Sequence, residues 1–171
     1  MKIIYKTGDL LRGDHAVVVH GCNARGTFGA GVAGHFRREM PFVYEAYRKA
    51  FEAASDGLLA LGEVIWAFDL GGKRPRIVGN MITQQDFGRD AAKQYVNYDA
   101  ITVALQKVNA FVRRVRSGHL NIAELPELHE VGMPLVGCGL GNGDWPTIAS
   151  IIENEAVDFT PVVYLLDGKV P

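Results

Sequence analysis

His20-Gly21-Cys22-Asn23-Ala24-Arg25-Gly26-Thr27-Phe28-Gly29-Ala30-Gly31-Val32-Ala33 follows directly on the apolar run Ala16 to Val19 and leads into a stretch with helical periodicity. A strand that feeds a glycine-dense loop and then a helix is an arrangement for holding phosphate. Glycine lets the backbone take positive φ and brings N–H groups close to an anion. The first turn of the following helix adds unpaired N–H groups at the positive end of its dipole. The stretch therefore predicts an α/β fold whose ligand is a nucleotide or a sugar phosphate.

Working outward, the rest of the chain alternates strands and helices. Lys2 to Lys6 and Ala16 to His20 read as strands, and Gly31 to Met40 as a helix. Pro41 opens a second helix that runs to about Ser55. Glu63 to Phe68 and Arg76 to Met81 read as two strands joined across Gly71-Gly72, followed by a long amphipathic helix from Val96 to about Val115. Gly132 to Val136 is a further apolar strand, Pro146 to Asn154 a helix with proline in its first turn, and Pro161 to Leu166 the last strand. Ser117 to Glu130, with its charges and Pro126, reads as a surface connection. This order predicts a three-layer α/β/α domain over residues 1–171, with a central mixed, mostly parallel sheet and the ligand at the carboxyl ends of the strands.

Bulk properties narrow the function. The chain has 171 residues, is 48% hydrophobic and carries 18 basic against 19 acidic side chains, a net charge of -1. That is an ordinary globular composition with no field for general nucleic-acid or membrane attraction. No charged leader with an apolar segment opens the chain, and no apolar run approaches the roughly 20 residues that span a bilayer. Cys22 and Cys138 make neither a disulfide framework nor a zinc-ligand spacing, and they fit a reducing, cytoplasmic setting. Each sits in a glycine-rich loop, where small-residue packing explains it better than a catalytic thiol does. Asp86, Asp90, His15 and His35 have no recognisable metal-ligand spacing, so no metal or cofactor is expected.

A second glycine cluster, Gly137-Cys138-Gly139-Leu140-Gly141-Asn142-Gly143-Asp144-Trp145, repeats the first context of apolar strand, glycine loop and helix start. One such loop also serves plain turns; two with the same context can grip a diphosphate from both sides. Neither matches GxxxxGK[ST], and the first lacks an intact GxGxxG with an acidic partner, which excludes ordinary kinase and dehydrogenase readings.

With both loops in view, the chain resembles the macrodomain family, in particular its ADP-ribose 1''-phosphate phosphatase branch and the related terminal ADP-ribose protein glycohydrolases. Gly8-Asp9-Leu10 is similar to the family's adenosine-contact segment, and Gly29-Ala30-Gly31-Val32-Ala33 to its GxGVA phosphate loop. Met133-Pro134 with Gly137-Cys138-Gly139-Leu140 and Trp145 is similar to its second diphosphate loop, and the likeness runs in order from Gly8 to the last strand. The resemblance implies ADP-ribose or ADP-ribose 1''-phosphate as ligand. It assigns binding to Asp9, Leu10, Asn23, Gly29, Ala30, Gly31, Val32, Cys138, Gly139, Leu140, Gly141, Asn142 and Gly143; Gln84 joins them by its position at a strand end on the ligand side, where a solvated loop residue fits equally well.

Catalytic candidates are His20, Asn23 and Asp144. His20 stands where the yeast-type phosphatases carry histidine and many macrodomains asparagine. A near-neutral imidazole could activate a water or protonate the leaving oxygen, while a histidine at the end of a buried strand also serves as a hydrogen-bonded core residue. Asn23 falls where the family's asparagine meets the distal ribose; its amide also suits an Asx turn within the loop. Asp144 could reach the ribose or a water, and its simplest role is to cap the helix near Pro146. Asn97-Tyr98 also resembles the phosphatase branch, although Tyr98 fits a core helix position. The glycohydrolase branch carries a lysine after an ITK-like strand end and an aspartate in the second loop. This chain has Ile82-Thr83-Gln84 and Gly141 there. Without that nucleophile the resemblance implies a phosphatase, with ADP-ribosyl hydrolysis from protein or nucleic acid and non-catalytic ADP-ribose binding as the other readings. The missing metal-ligand spacing makes it metal-independent, and a single small domain of near-neutral charge is compatible with a monomer.

Overall fold

The computed structural model describes residues 1–71, 75–119, 122, 125 and 128–171; Gly72 and Pro126 of the expected connections lie outside these. Its strands are Ile4–Thr7 (β1), Val17–Asn23 (β2), Val64–Asp69 (β3), Arg76–Gln84 (β4), Glu130–Met133 (β5) and Thr160–Leu165 (β6). They form one sheet in the order β1-β6-β5-β2-β4-β3. Every neighbouring pair is parallel except β3 with β4, so the sheet is mixed and mostly parallel, as the alternation of elements predicts. The helices are Gly31–Glu39 (α1), Pro41–Ala53 (α2), Tyr98–Arg116 (α3) and Trp145–Glu155 (α4).

The continuous apolar character of β2 and β4 follows from burial on both faces. Val17, Val19, Ile77 and Met81 point into a core built with Ile101, Leu105 and Val108 of α3 and Ile148 and Ile152 of α4. Val18, Cys22, Val78 and Ile82 point the other way, against Phe36 of α1 and Val43 and Tyr47 of α2. The period of two along each strand thus feeds two separate helical layers. Trp66 of β3 stacks on Phe111 of α3 with ring centroids 3.9 Å apart, which covers the antiparallel edge.

Several boundaries differ from the sequence patterning, each for a local reason. β2 continues past His20 to Asn23 and β4 past Met81 to Gln84, because the polar residues at their ends still pair across the sheet. β5 spans Glu130–Met133 rather than Gly132 to Val136: Pro134 has no N–H for the ladder, and the chain turns there with Val136 N donating to Pro134 O at 2.8 Å. Val96 does not begin α3 but bridges to Gln84; Asn97 caps the helix, its side chain accepting from Ala100 N at 2.8 Å. A 3-10 turn at Leu10–Arg12, capped by Asp9, has no periodic signal in the sequence. No helix among the described residues is long and apolar enough to cross a membrane.

Candidate functional site

The carboxyl ends of β2, β4 and β5 open into a cleft of about 480 Å³, walled by the two glycine loops and by the residues that follow β4. The first loop is held open by Asn23. Its Oδ1 accepts from Arg25 N at 2.9 Å and Thr27 N at 3.3 Å, and its Nδ2 donates to Thr27 O at 2.6 Å. Tyr47 of α2 donates its hydroxyl to Asn23 O at 2.8 Å, so the helical layer fixes the loop's base. Both halves of the Asn23 amide are therefore engaged with the loop, the Asx-turn role, while the residue still lines the cleft.

Beyond this turn, α1 starts at Gly31, whose φ of 56° is the left-handed conformation that glycine tolerates best. Ala30 offers no capping side chain, so the first-turn N–H groups have no side-chain cap and face the cleft with the positive end of the helix. Across the cleft, Gly143 N donates to Gly137 O at 2.9 Å and Asn142 N to Gly139 O at 3.1 Å, folding the second loop into a compact turn.

The glycines divide into two kinds. A Cβ on Gly141 would lie 2.5 Å from Gly137 O, and one on Gly137 would lie 2.7 Å from Val96 Cγ2, so packing within the protein demands glycine there. At Gly29 and Gly139 a Cβ would meet no protein atom within 4 Å, and neither has positive φ. Nothing inside the protein demands glycine at those two positions.

Of the residues named from the sequence, Asn23, Gly29, Ala30, Gly31, Val32, Gln84, Gly139, Leu140 and Gly141 line the cleft. Asp9, Leu10, Cys138, Asn142, Gly143 and Asp144 are not among its lining residues. Asp9 caps the 3-10 turn through Leu11 N at 2.9 Å, and Leu10 is buried in the core. Asn142, at φ 56°, donates to Ala91 O at 2.6 Å and fastens the neighbouring connection. Asp144 caps α4, accepting from Thr147 N at 2.9 Å and Thr147 Oγ1 at 2.6 Å, bonds that hold its carboxyl below the usual carboxylate range.

His20, expected either as a catalytic imidazole or as a hydrogen-bonded core residue at a buried strand end, is enclosed. It adjoins the cleft floor but is 0% exposed, lying 4.6 Å from the Phe36 ring and edge-on to Phe28. Asn80 donates its amide to Val43 O and Ile65 O, which turns its Oδ1 toward His20 Nε2 at 2.7 Å; that ring nitrogen therefore carries the proton. Burial lowers its pKa to about 4, against the bonds to Asn80 and the Gly21 backbone, so the imidazole is neutral at pH 7. Cys22 is buried with its thiol pushed up, and burial together with Asp144 pushes Cys138 up to about 11. Neither is a thiolate at neutral pH.

Thr27, Thr83, Phe87, Gly88, Arg89 and Leu135 line the cleft without having been singled out as site residues. The first strand-to-helix junction is marked by its glycines, whereas the Phe87-Gly88-Arg89 connection has no comparable motif. Its position after β4 was the available signal, since ligands in such sheets sit outside strand carboxyl ends. Arg25 and Asp86 form an ion pair at 2.7 Å that joins the first loop to this connection.

No family model matches the chain. A DNA ADP-ribosyl glycohydrolase of Mycobacterium tuberculosis is 30% identical over 148 residues, 85% of this chain and 36% of that protein; the chain thus spans about a third of this relative's length. An ADP-ribose 1''-phosphate phosphatase of Meyerozyma guilliermondii is 27% identical over 170 aligned residues, 91% of this chain and 95% of that protein. Among solved structures, the macrodomain of Mycobacterium tuberculosis DarG superimposes with a TM-score of 0.69 at 27% identity, covering 95% of this chain and 96% of that one. The backbone thus superimposes over nearly its whole length on a solved macrodomain, and the sequence is similar to those of two enzymes acting on ADP-ribose linkages: the chain belongs to the macrodomain family.

Proposed function

We propose that the cleft binds ADP-ribose and that the protein hydrolyses ADP-ribose 1''-phosphate with water to ADP-ribose and inorganic phosphate. The observation that carries the binding reading is the pair Gly29 and Gly139, glycines on opposite loops that no contact within the protein requires. Side chains there would occupy the space through which a diphosphate reaches the backbone N–H groups. Gly31 and the start of α1 add the positive end of a helix on one side. The distal ribose then lies toward Asn23 and Gln84, and the adenosine toward Asp9 and Leu10, as the family resemblance implies.

Phosphate ester cleavage is favoured over glycohydrolysis by two observations. The relative named as a phosphatase aligns over 95% of its own length, and Gln84 stands where the glycohydrolase branch carries its lysine. Glutamine cannot form a covalent imine-type intermediate, so the reaction here is attack by water on a positioned ester. With His20 neutral and enclosed, its part is to shape the floor through Asn80 rather than to exchange protons with substrate. A second reading, removal of ADP-ribose from DNA, is supported by the 30% identity to the mycobacterial glycohydrolase.

The test is to incubate purified protein with ADP-ribose 1''-phosphate and, separately, with an ADP-ribosylated oligonucleotide, following phosphate and ADP-ribose release while titrating ADP-ribose by calorimetry. Phosphate release unaffected by chelator supports the phosphatase. Release of ADP-ribose from the oligonucleotide alone favours the second reading. Binding with neither product would reduce the protein to an ADP-ribose reader, and no binding would overturn the assignment of the cleft.

A further inference from the structure

Thr83 is the penultimate residue of β4, fully buried, and its Oγ1 has no hydrogen-bond partner among the described residues. A buried hydroxyl left without a protein partner is costly. The sheet geometry explains how it came to be there. Cys22 of β2 is level with Ile82 of β4, but the next residue, Asn23, is level with Gln84, so Thr83 is an extra residue that the register skips. Bulges of this kind re-aim a side chain, and Thr83 lines the cleft while its carbonyl still accepts from Asn97 N at 2.8 Å.

The neighbouring strand makes room for the hydroxyl. A Cβ on Gly21 would lie 2.7 Å from Thr83 Oγ1 and 3.5 Å from Val136 Cγ1, so the hydroxyl rests against a bare α-carbon. Bulge, bare glycine and unpaired oxygen converge on the floor of the cleft, next to Asn23 and Gln84.

We propose that Thr83 is a positioning residue for hydrolysis, its hydroxyl hydrogen-bonding and orienting the attacking water at the cleft floor. The proposal rests on the hydrolytic reading of the cleft. In the balanced step the water oxygen bonds to the phosphorus of the ester, the ribose oxygen leaves, and the water's proton goes to the leaving oxygen or to phosphate. Thr83 exchanges no proton in the net reaction and only fixes the direction of attack. Protein packing alone gives no reason to prefer threonine over valine here, whereas orientation of a water does.

Thr83→Val and Thr83→Ser are compared with the wild type for kcat and KM on ADP-ribose 1''-phosphate, ADP-ribose affinity and melting temperature. For Thr83→Val, kcat falls roughly 10- to 100-fold with ADP-ribose affinity within about 2-fold of wild type. Its melting temperature is equal or higher, since valine removes an unpaired hydroxyl without changing shape. Thr83→Ser, which keeps the hydroxyl, recovers most of kcat. Unchanged kcat in an active Thr83→Val variant overturns the proposal and leaves the phosphatase reading intact. So does a joint fall in melting temperature and affinity, which would mark the hydroxyl as a structural bond. A wild type that releases neither phosphate nor ADP-ribose removes the hydrolytic reading itself, and this proposal with it.

Discussion

His20 has no exposed surface and a pKa near 4, and a pH dependence of stability follows from that burial. An unfolded chain takes up a proton on this ring near pH 6.5, while the native state refuses it until about pH 4. Between those values the unfolded state binds more protons, so stability rises with pH. The contribution is fully present above 6.5 and is lost as pH falls toward 4, a total of roughly 3 kcal/mol. Denaturant melts of wild type and His20→Gln at intervals from pH 7 to pH 4 check this: the wild type loses more stability over the window, and parallel curves would mean that water reaches the imidazole. Asp144 illustrates the opposite outcome for an expected site residue. Its carboxylate is engaged with Thr147 at the start of α4, so Asp144→Ala lowers the melting temperature by roughly 3 °C while leaving ADP-ribose affinity unchanged by calorimetry. A loss of affinity without a loss of stability would return Asp144 to the site.

The elements that build the cleft were legible in the sequence because two strand–glycine–helix junctions and the period-two apolar runs are local signals. Gly29 to Ala33 and Gly139 to Gly141 line the cleft at the carboxyl ends of the strands. What was not legible depends on how elements meet. Burial of His20 arises from Phe28 and Phe36 closing over it, and the role of Asn142 from a connection some 50 residues earlier in the chain. The bulge that sets Thr83 apart exists only in the pairing of β2 with β4. Glycine itself has two meanings that the sequence cannot separate, and mutation can. Gly139→Val leaves the melting temperature within a degree or so of wild type and weakens ADP-ribose binding at least 10-fold, since a Cβ at this cleft-lining position meets no neighbouring protein atom within 4 Å. Gly141→Val instead destabilises the fold, because its Cβ meets the Gly137 carbonyl. Equal melting temperatures for the two variants, read by differential scanning fluorimetry, would contradict this division.

At the scale of the whole molecule, the cleft is where the two helical layers communicate. The first glycine loop is braced from one layer through Tyr47 of α2, and the second packs on the other through contacts of Gly137 and Gly143 with Val96 and Ile148. A ligand spanning both loops therefore ties together the two cores that the sheet otherwise keeps apart. Binding to the native state alone stabilises it by mass action, about 2.7 kcal/mol when ligand is at 100 times its dissociation constant. For a chain of this length that amounts to a rise in melting temperature of roughly 5–10 °C. Adenosine alone, which lacks the diphosphate, reaches neither loop's backbone and gives a rise of less than about 2 °C at the same concentration. Tyr47→Phe removes the bond to Asn23 and uncouples the first loop from α2, so the shift produced by ADP-ribose shrinks even where the unliganded variant melts close to wild type. Thermal shift titrations of wild type and Tyr47→Phe with ADP-ribose and adenosine carry the test. Equal shifts for the two ligands would mean that the glycine loops do not hold the diphosphate, and an undiminished shift in the variant would mean that α2 does not brace the site.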